Sequence, residues 1–111
     1  MTASGPKNTA TGYNKEKQVV GWLERHGWNI IYEGGRGPAD IIARSGSSKW
    51  FIQVKYTRSQ EMNFSRFSKE LYPLIDKADG QKGTAVLCLV IQTSIWFCSA
   101  KTFKTLKRGF L

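Results

Sequence analysis

Asp40, Gln53 and Lys55 are the residues of this chain whose types and spacing could do chemistry together. They lie in GPADIIARSGSSKWFIQVKY, residues 37–56, a stretch that predicts a β-hairpin. An apolar run (Ala39 to Ala43) and an alternating aromatic run (Trp50 to Tyr56) flank the turn cluster Ser45-Gly46-Ser47-Ser48. With the turn centred between Gly46 and Ser47, Asp40 stands opposite Gln53. Lys55, two residues on, returns to the same face. A carboxylate, an amide and an ammonium would then meet within a few ångströms. Oxygen donors of this kind suit a hard cation, and a fixed positive charge beside them suits developing negative charge.

An isolated Asp–Lys pair across a hairpin is ordinarily a solvated salt bridge, worth ~0–1 kcal/mol. The neighbours argue for more. Ile41 and Ala43 face away from Asp40, whereas Ile42 and Phe51 share its face. Apolar groups on both faces predict a strand pair covered on both sides. Asp and Lys favour neither strands nor burial without a partner. The polar trio is therefore expected in a half-buried cleft.

The elements around the hairpin follow from periodicity and punctuation. A helix is predicted from Asn14, an N-cap, to His26, with Gly27 as its stop. At about 100° per residue, Glu16 falls inside the apolar arc of Val19, Val20 and Leu23, and Glu24 falls on its edge. A carboxylate inside a buried stripe needs compensation. The plainer alternative is that Glu16 complements the helix dipole from the first turn and stays wet. Trp28 to Tyr32 reads as a strand, Glu33 to Gly37 as a loop, and Thr57 to Asn63 as a polar connector. Phe64, Phe67, Leu71, Ile75 and Ala78 recur at helix spacing, so Phe64 to Asp79 reads as helical, kinked or split at Pro73 and ended by Gly80. Strands are expected over Thr84 to Ile91 and Ile95 to Cys98, linked by Gln92-Thr93-Ser94. A last helix from Ala100 to Arg108 would put Lys101, Lys104 and Arg108 on one face. The order is α-β-β-β-α-β-β, an α/β chain in which helices cover a sheet. Residues 1–12 are expected to be a loose tail and 13–111 a single domain.

Composition narrows the partners. The chain has 111 residues, enough for one core, and 17 basic against 8 acidic residues, a net charge of +9. Such a surplus points to a polyanion, nucleic acid before an anionic membrane surface. No apolar run is long enough to span a bilayer. The stretch MTASGPKNTATG has no apolar signal region. Cys88 and Cys98 sit in apolar runs without CxxC spacing, as reduced core residues of an intracellular protein would. With one histidine and no cysteine cluster, a structural zinc site is not expected.

An early helix glutamate, Pro38-Ala39-Asp40-Ile41-Ile42-Ala43, Phe51-Ile52-Gln53-Val54-Lys55 and a later helix–strand unit occur here in order. This arrangement resembles the PD-(D/E)XK nuclease superfamily and, within it, the archaeal-type Holliday junction resolvases, over roughly residues 14 to 98. The resemblance implies a restriction-endonuclease-like fold, a central mixed β-sheet flanked by helices. It picks Glu16 over Glu24, because the family's helix glutamate precedes the helix-ending glycine at that spacing. It implies an intracellular Mg²⁺-dependent endonuclease of prokaryotic or viral type, with Mn²⁺ as a possible substitute. Such an enzyme would hydrolyse DNA at four-way junctions as a homodimer. Asp40, Glu16, Gln53 and the Val54 carbonyl would hold the metal, and Lys55 would orient the attacking water or stabilise the transition state. Lys15, Arg36, Arg58, Lys101, Lys104 and Arg108 are the expected phosphate contacts. Phe97, Phe103, Phe110, Leu111 and the tryptophans are candidates for the subunit contact, although any single aromatic is better explained as core.

The sequence departs from the family pattern in three places. Ala39 separates Pro38 from Asp40. Gln53 stands where these resolvases usually have glutamate, which removes a negative charge worth about 4 kcal/mol at ~4 Å and an effective dielectric of ~20. Gln-x-Lys is similar to the variant in Mrr-like nucleases. Finally, Glu33 to Gly37 lacks the serine that resolvases carry before the aspartate, leaving Arg36 to contact phosphate there. Alternatives are therefore a Mrr-like or repair nuclease without junction preference and a non-cleaving DNA-binding module.

Overall fold

The computed structural model describes residues 4–33, 37–57, 61–62, 64–91, 94–103 and 109–110. The elements run in the order α1 (Ser4–Arg25), β1 (Asn29–Glu33), β2 (Ile41–Ser45), β3 (Ser48–Thr57), β4 (Glu61–Met62), α2 (Phe64–Gly80), β5 (Thr84–Ile91), β6 (Ser94–Ser99), α3 (Ala100–Phe103) and β7 (Gly109–Phe110). Five strands form one sheet in the order β1-β2-β3-β5-β6. Its neighbours are antiparallel except β3 and β5, which are parallel. α2 supplies the long crossover that a parallel pair requires. This is the expected mixed sheet flanked by helices.

The apolar run of β5 explains the layering. All of it but Thr84 is buried, so both faces of the sheet must be covered. On one face Val19 and Leu23 of α1 pack with Ile41, Ile52, Val86 and Cys88. On the other, Leu71, Leu74, Ile75 and Ala78 of α2 pack with Ile42, Phe51 and Leu87. Both cysteines are free. Burial pushes the Cys88 thiol up to about 12, which makes it an inert core residue.

Local signals are read out as physics dictates. Gly27 adopts a positive φ of 87° after α1, and Trp28 N–H donates to the Leu23 carbonyl while Gly27 N–H donates to that of Glu24. That pair of bonds is the Schellman stop, which glycine forms without a steric penalty. His26 stacks on Trp22 at 3.8 Å and bonds the Trp22 carbonyl through Nδ1 at 2.7 Å. A carbonyl only accepts, so Nδ1 carries the proton.

Three expectations change. α1 begins at Ser4 rather than Asn14, so the stretch expected to be a loose tail is helical from Ser4 onward. Each residue added to an existing helix gains a hydrogen bond without a new nucleus, and Pro6 lies in the first turn, where its missing N–H has no helical partner to lose. α2 runs unbroken through Pro73. Burial of Leu71, Leu74 and Ile75, about 1.5–3 kcal/mol each, outweighs the ~3 kcal/mol that an interior proline costs. The expected polar connector contains a strand, β4, paired with β7; of the last helix, α3 covers Ala100–Phe103, and the stretch expected to continue it to Arg108 lies outside the described residues.

Candidate active site at the open end of the hairpin

The hairpin has the register its turn predicts, from Ser45↔Ser48 to Ile41↔Ile52. Beyond that point the two strands part company. β3 continues to Thr57, paired on its other edge with β5 as far as Thr57↔Ile91, while the ladder with β2 has ended. Among the described residues, the edge of β3 that faced β2 therefore pairs with no strand from Gln53 onward.

Asp40 fills this opening. Its N–H donates to the Ile52 carbonyl at 2.8 Å, although Ile41 is already the partner of Ile52. Two residues thus face one, the arrangement of a β-bulge, which re-aims a side chain. Asp40 consequently does not stand squarely opposite Gln53 as the simple register implies. Its Oδ2 instead accepts the Val54 N–H at 2.9 Å, in the place of the carbonyl that a longer β2 would have offered. The carboxylate lies in the gap between the strands.

Alternation along β3 distributes its residues. Phe51 packs on the α2 side and Ile52 and Val54 on the α1 side, so Gln53 and Lys55 belong to the α2 face. Gln53 Oε1 is buried and, among the described residues, has no hydrogen-bond partner. Buried polar atoms are satisfied in the great majority of cases. This orphaned amide oxygen belongs to the residue before Val54, whose N–H holds the Asp40 carboxylate, and a donor set of carboxylate and amide oxygens fits a hard divalent ion. Burial, the largest effect, raises the Asp40 pKa above its ordinary 3.8; the Val54 N–H and the Lys55 ammonium oppose it. Lys55 is thus close enough to act electrostatically on Asp40.

Glu16 and Lys15 come from the helix on the opposite face. Lys15 Nζ lies over the Tyr56 ring at 4.6 Å, which sets this turn of α1 beside the same end of β3. Glu16 is half-buried there and already has a polar or electrostatic partner. Among the described residues, no three His, Cys, Asp or Glu side chains gather into a metal cluster, in keeping with an amide at position 53. Lys101 pairs with Asp79 at 3.2 Å, near Thr84 and Ser99. Thr84 is level with Trp50 and Leu89 with Lys55, so Lys101 sits at the far end of the sheet, about 16 Å away at ~3.3 Å per residue. Arg36, Arg58, Lys104 and Arg108 lie outside the described residues. Sequence reasoning passed over Lys77. Its Nζ is 3.9 Å from where a Cβ on Gly37 would stand, yet nothing in its spacing on α2 distinguishes it from a solvated lysine.

Among the described residues, no helix is long and apolar enough to cross a membrane. No protein-family model matches the chain. The structure is similar to that of the Holliday junction resolvase Hjc from the archaeal hyperthermophile Archaeoglobus fulgidus, with a TM-score of 0.69 and 22% identity over 80% of this chain and 77% of that one. The architecture is therefore the restriction-endonuclease-like fold. In sequence, the chain is 38% identical over 50 residues to a UPF0102 protein of Sphingopyxis alaskensis, of whose length it spans 43%. It is 30% identical over 93 residues to a UPF0102 protein of Ruegeria pomeroyi, covering 73% of this chain and 76% of the relative. With that likeness extending over most of both chains, the protein belongs to the UPF0102 family.

Proposed function

We propose that this protein is a Mg²⁺-dependent DNA endonuclease, a resolvase of four-way junctions that works as a homodimer inside the cell. The observation that carries the reading is Gln53 Oε1, a buried oxygen with no hydrogen-bond partner among the described residues, on the residue before Val54, whose N–H holds the Asp40 carboxylate. The fold it shares with Hjc, itself a Holliday junction resolvase, and a charge of +9 support DNA as the substrate. Free cysteines suit a reducing compartment.

Asp40, Gln53, Glu16 and the Val54 carbonyl would hold the metal. A divalent ion bound there supplies an acidified water and charge neutralisation at the scissile phosphate, and Mn²⁺ would substitute for Mg²⁺. Val54 N–H fixes one Asp40 oxygen. Since the N–H and C=O of a strand residue address the same edge, the Val54 carbonyl is directed to the open side as well. Lys55 places a positive charge beside Asp40, where negative charge would develop during phosphoryl transfer. Lys15, Arg36 and Arg58 would grip phosphates near the cut, and Lys101, Lys104 and Arg108 phosphates farther along the duplex arms. In the proposed dimer, Trp96 would make the subunit contact: it is the most exposed of the candidate aromatics whose side chains are described, 49% on edge strand β6. Phe97, by contrast, is engaged within the chain against Trp22 and Trp50.

The test is cleavage of a labelled four-way junction and a matched linear duplex, in Mg²⁺ and in EDTA. Symmetric metal-dependent nicks near the crossover are expected. Equal cutting of linear duplex would remove the junction preference. Binding without cutting would reduce the protein to a DNA-binding module.

A further inference from the structure

We propose that Lys77 of α2 is a phosphate-binding residue of the same site, gripping the DNA strand a few nucleotides from the bond that is cut. The inference rests on the nuclease reading above and adds a residue from an element that reading does not use. α2 turns directly into β5, which is parallel to β3, so α2 runs opposite to β3. Helical side chains lean toward their own N-terminus. Lys77 therefore reaches toward the end of β3 where Asp40, Gln53 and Lys55 gather.

The approach to Asp40 is pinned beneath it. Ala39 is buried with Leu74, Ile75 and Ala78 of α2, which holds segment 37–40 against the helix. Gly37 has a positive φ of 83°, a conformation that favours glycine. The backbone under the Lys77 ammonium consequently carries no side chain, and a phosphate can come close. Gly37 lies at most about 10 Å of chain from Asp40. With one phosphate per 3.4 Å of rise on each strand, that is about three nucleotides or fewer.

Lys77 also differs from two other lysines on its side of the sheet. Lys101 is paired with Asp79, and Lys49 is bonded to Gln81 and lies over the Phe51 ring. Among the described residues no carboxylate pairs with Lys77, although it is half-buried. The plain alternative is a lysine stem that covers apolar surface while its head stays in water. That role predicts no effect on DNA.

The experiment is four-way-junction binding by anisotropy across a salt series in EDTA, followed by cleavage in Mg²⁺. It uses the wild type, Lys77→Gln, Lys77→Arg and Lys82→Gln, the last removing the same charge at the opposite end of the sheet. Lys77→Gln is expected to lower the slope of log K against log salt by about 0.9, one phosphate contact, and to slow cleavage. Lys77→Arg should restore both, and Lys82→Gln should match the wild type. An unchanged slope in Lys77→Gln, or an equal drop in Lys82→Gln, overturns the assignment. A wild type that neither binds nor cuts a junction overturns the parent reading with it, whereas a cutting wild type matched by Lys77→Gln overturns this inference alone.

Discussion

Replacing Asp40 separates its two tasks, because Asn and Ala remove different things. Asn keeps an oxygen that can accept the Val54 N–H, now 2.9 Å from Oδ2, and removes the charge. Ala removes both and leaves a part-buried N–H without an acceptor, a loss of about 1–3 kcal/mol. Asp40→Asn should therefore be more stable than Asp40→Ala by that amount, about 4–12 °C in Tm for a domain of this size. The sign relative to wild type follows from the carboxyl itself. Its folded pKa is raised above 3.8, chiefly by burial, so its contribution to stability is full below 3.8 and is lost as pH rises through the folded value. Without metal, Asp40→Asn should accordingly equal or exceed the wild type at pH 7, and that advantage should vanish below pH 3.8. Thermal unfolding in EDTA at the two pH values, with junction cleavage measured in Mg²⁺, is the assay. Cleavage should be lost in both variants. Equal stability of Asn and Ala would refute the role assigned to the Val54 bond, and a less stable Asn variant at pH 7 would refute the burial argument.

Gln53→Met should stabilise the metal-free protein by about 1–3 kcal/mol, since a buried orphan oxygen is removed, and should abolish cleavage; loss of stability in denaturant titration would mean that Oε1 has a partner. Gln53→Glu should tighten Mg²⁺ binding and lower the Mg²⁺ needed for cleavage, and an unchanged metal dependence would remove Gln53 from the ligand set. A Cβ at Gly83 would come within 2.9 Å of the Lys49 carbonyl and closer still to the Phe51 ring, so Gly83→Ala should cost about 1–3 kcal/mol in chemical unfolding. Lys82 has a left-handed φ of 58°, and Lys82→Gly should raise stability by up to ~1 kcal/mol.

The hairpin was legible in the sequence because two independent signals agree on it. The Gly46-Ser47 turn and the alternation of Ile41, Ile42, Phe51 and Ile52 fix one register, since slipping by a residue would turn every apolar side chain to the wrong face. β5 was legible from its apolar run and the end of α1 from Gly27. The bulge at Asp40 was not, because it depends on where β2 stops relative to β3, and no local residue encodes that. Ile31, left over between Ile30↔Ala43 and Tyr32↔Ile42 and 54% exposed, is a second case of the same kind. Asp40, Gln53 and Lys55 stood out because each violates the preference of its strand, which is where functional residues are expected to appear. Lys77 violates nothing on its helix, and only its nearness to Gly37 in the fold gives it meaning.

The proposed nuclease activity requires Asp40 and Gln53 to hold a divalent ion together. Calorimetric titration of Mn²⁺ into the wild type, Asp40→Asn and Gln53→Met tests it without DNA. One site per chain is expected in the wild type, weakened severely in both variants while each remains folded. Equal Mn²⁺ binding by all three proteins would contradict it.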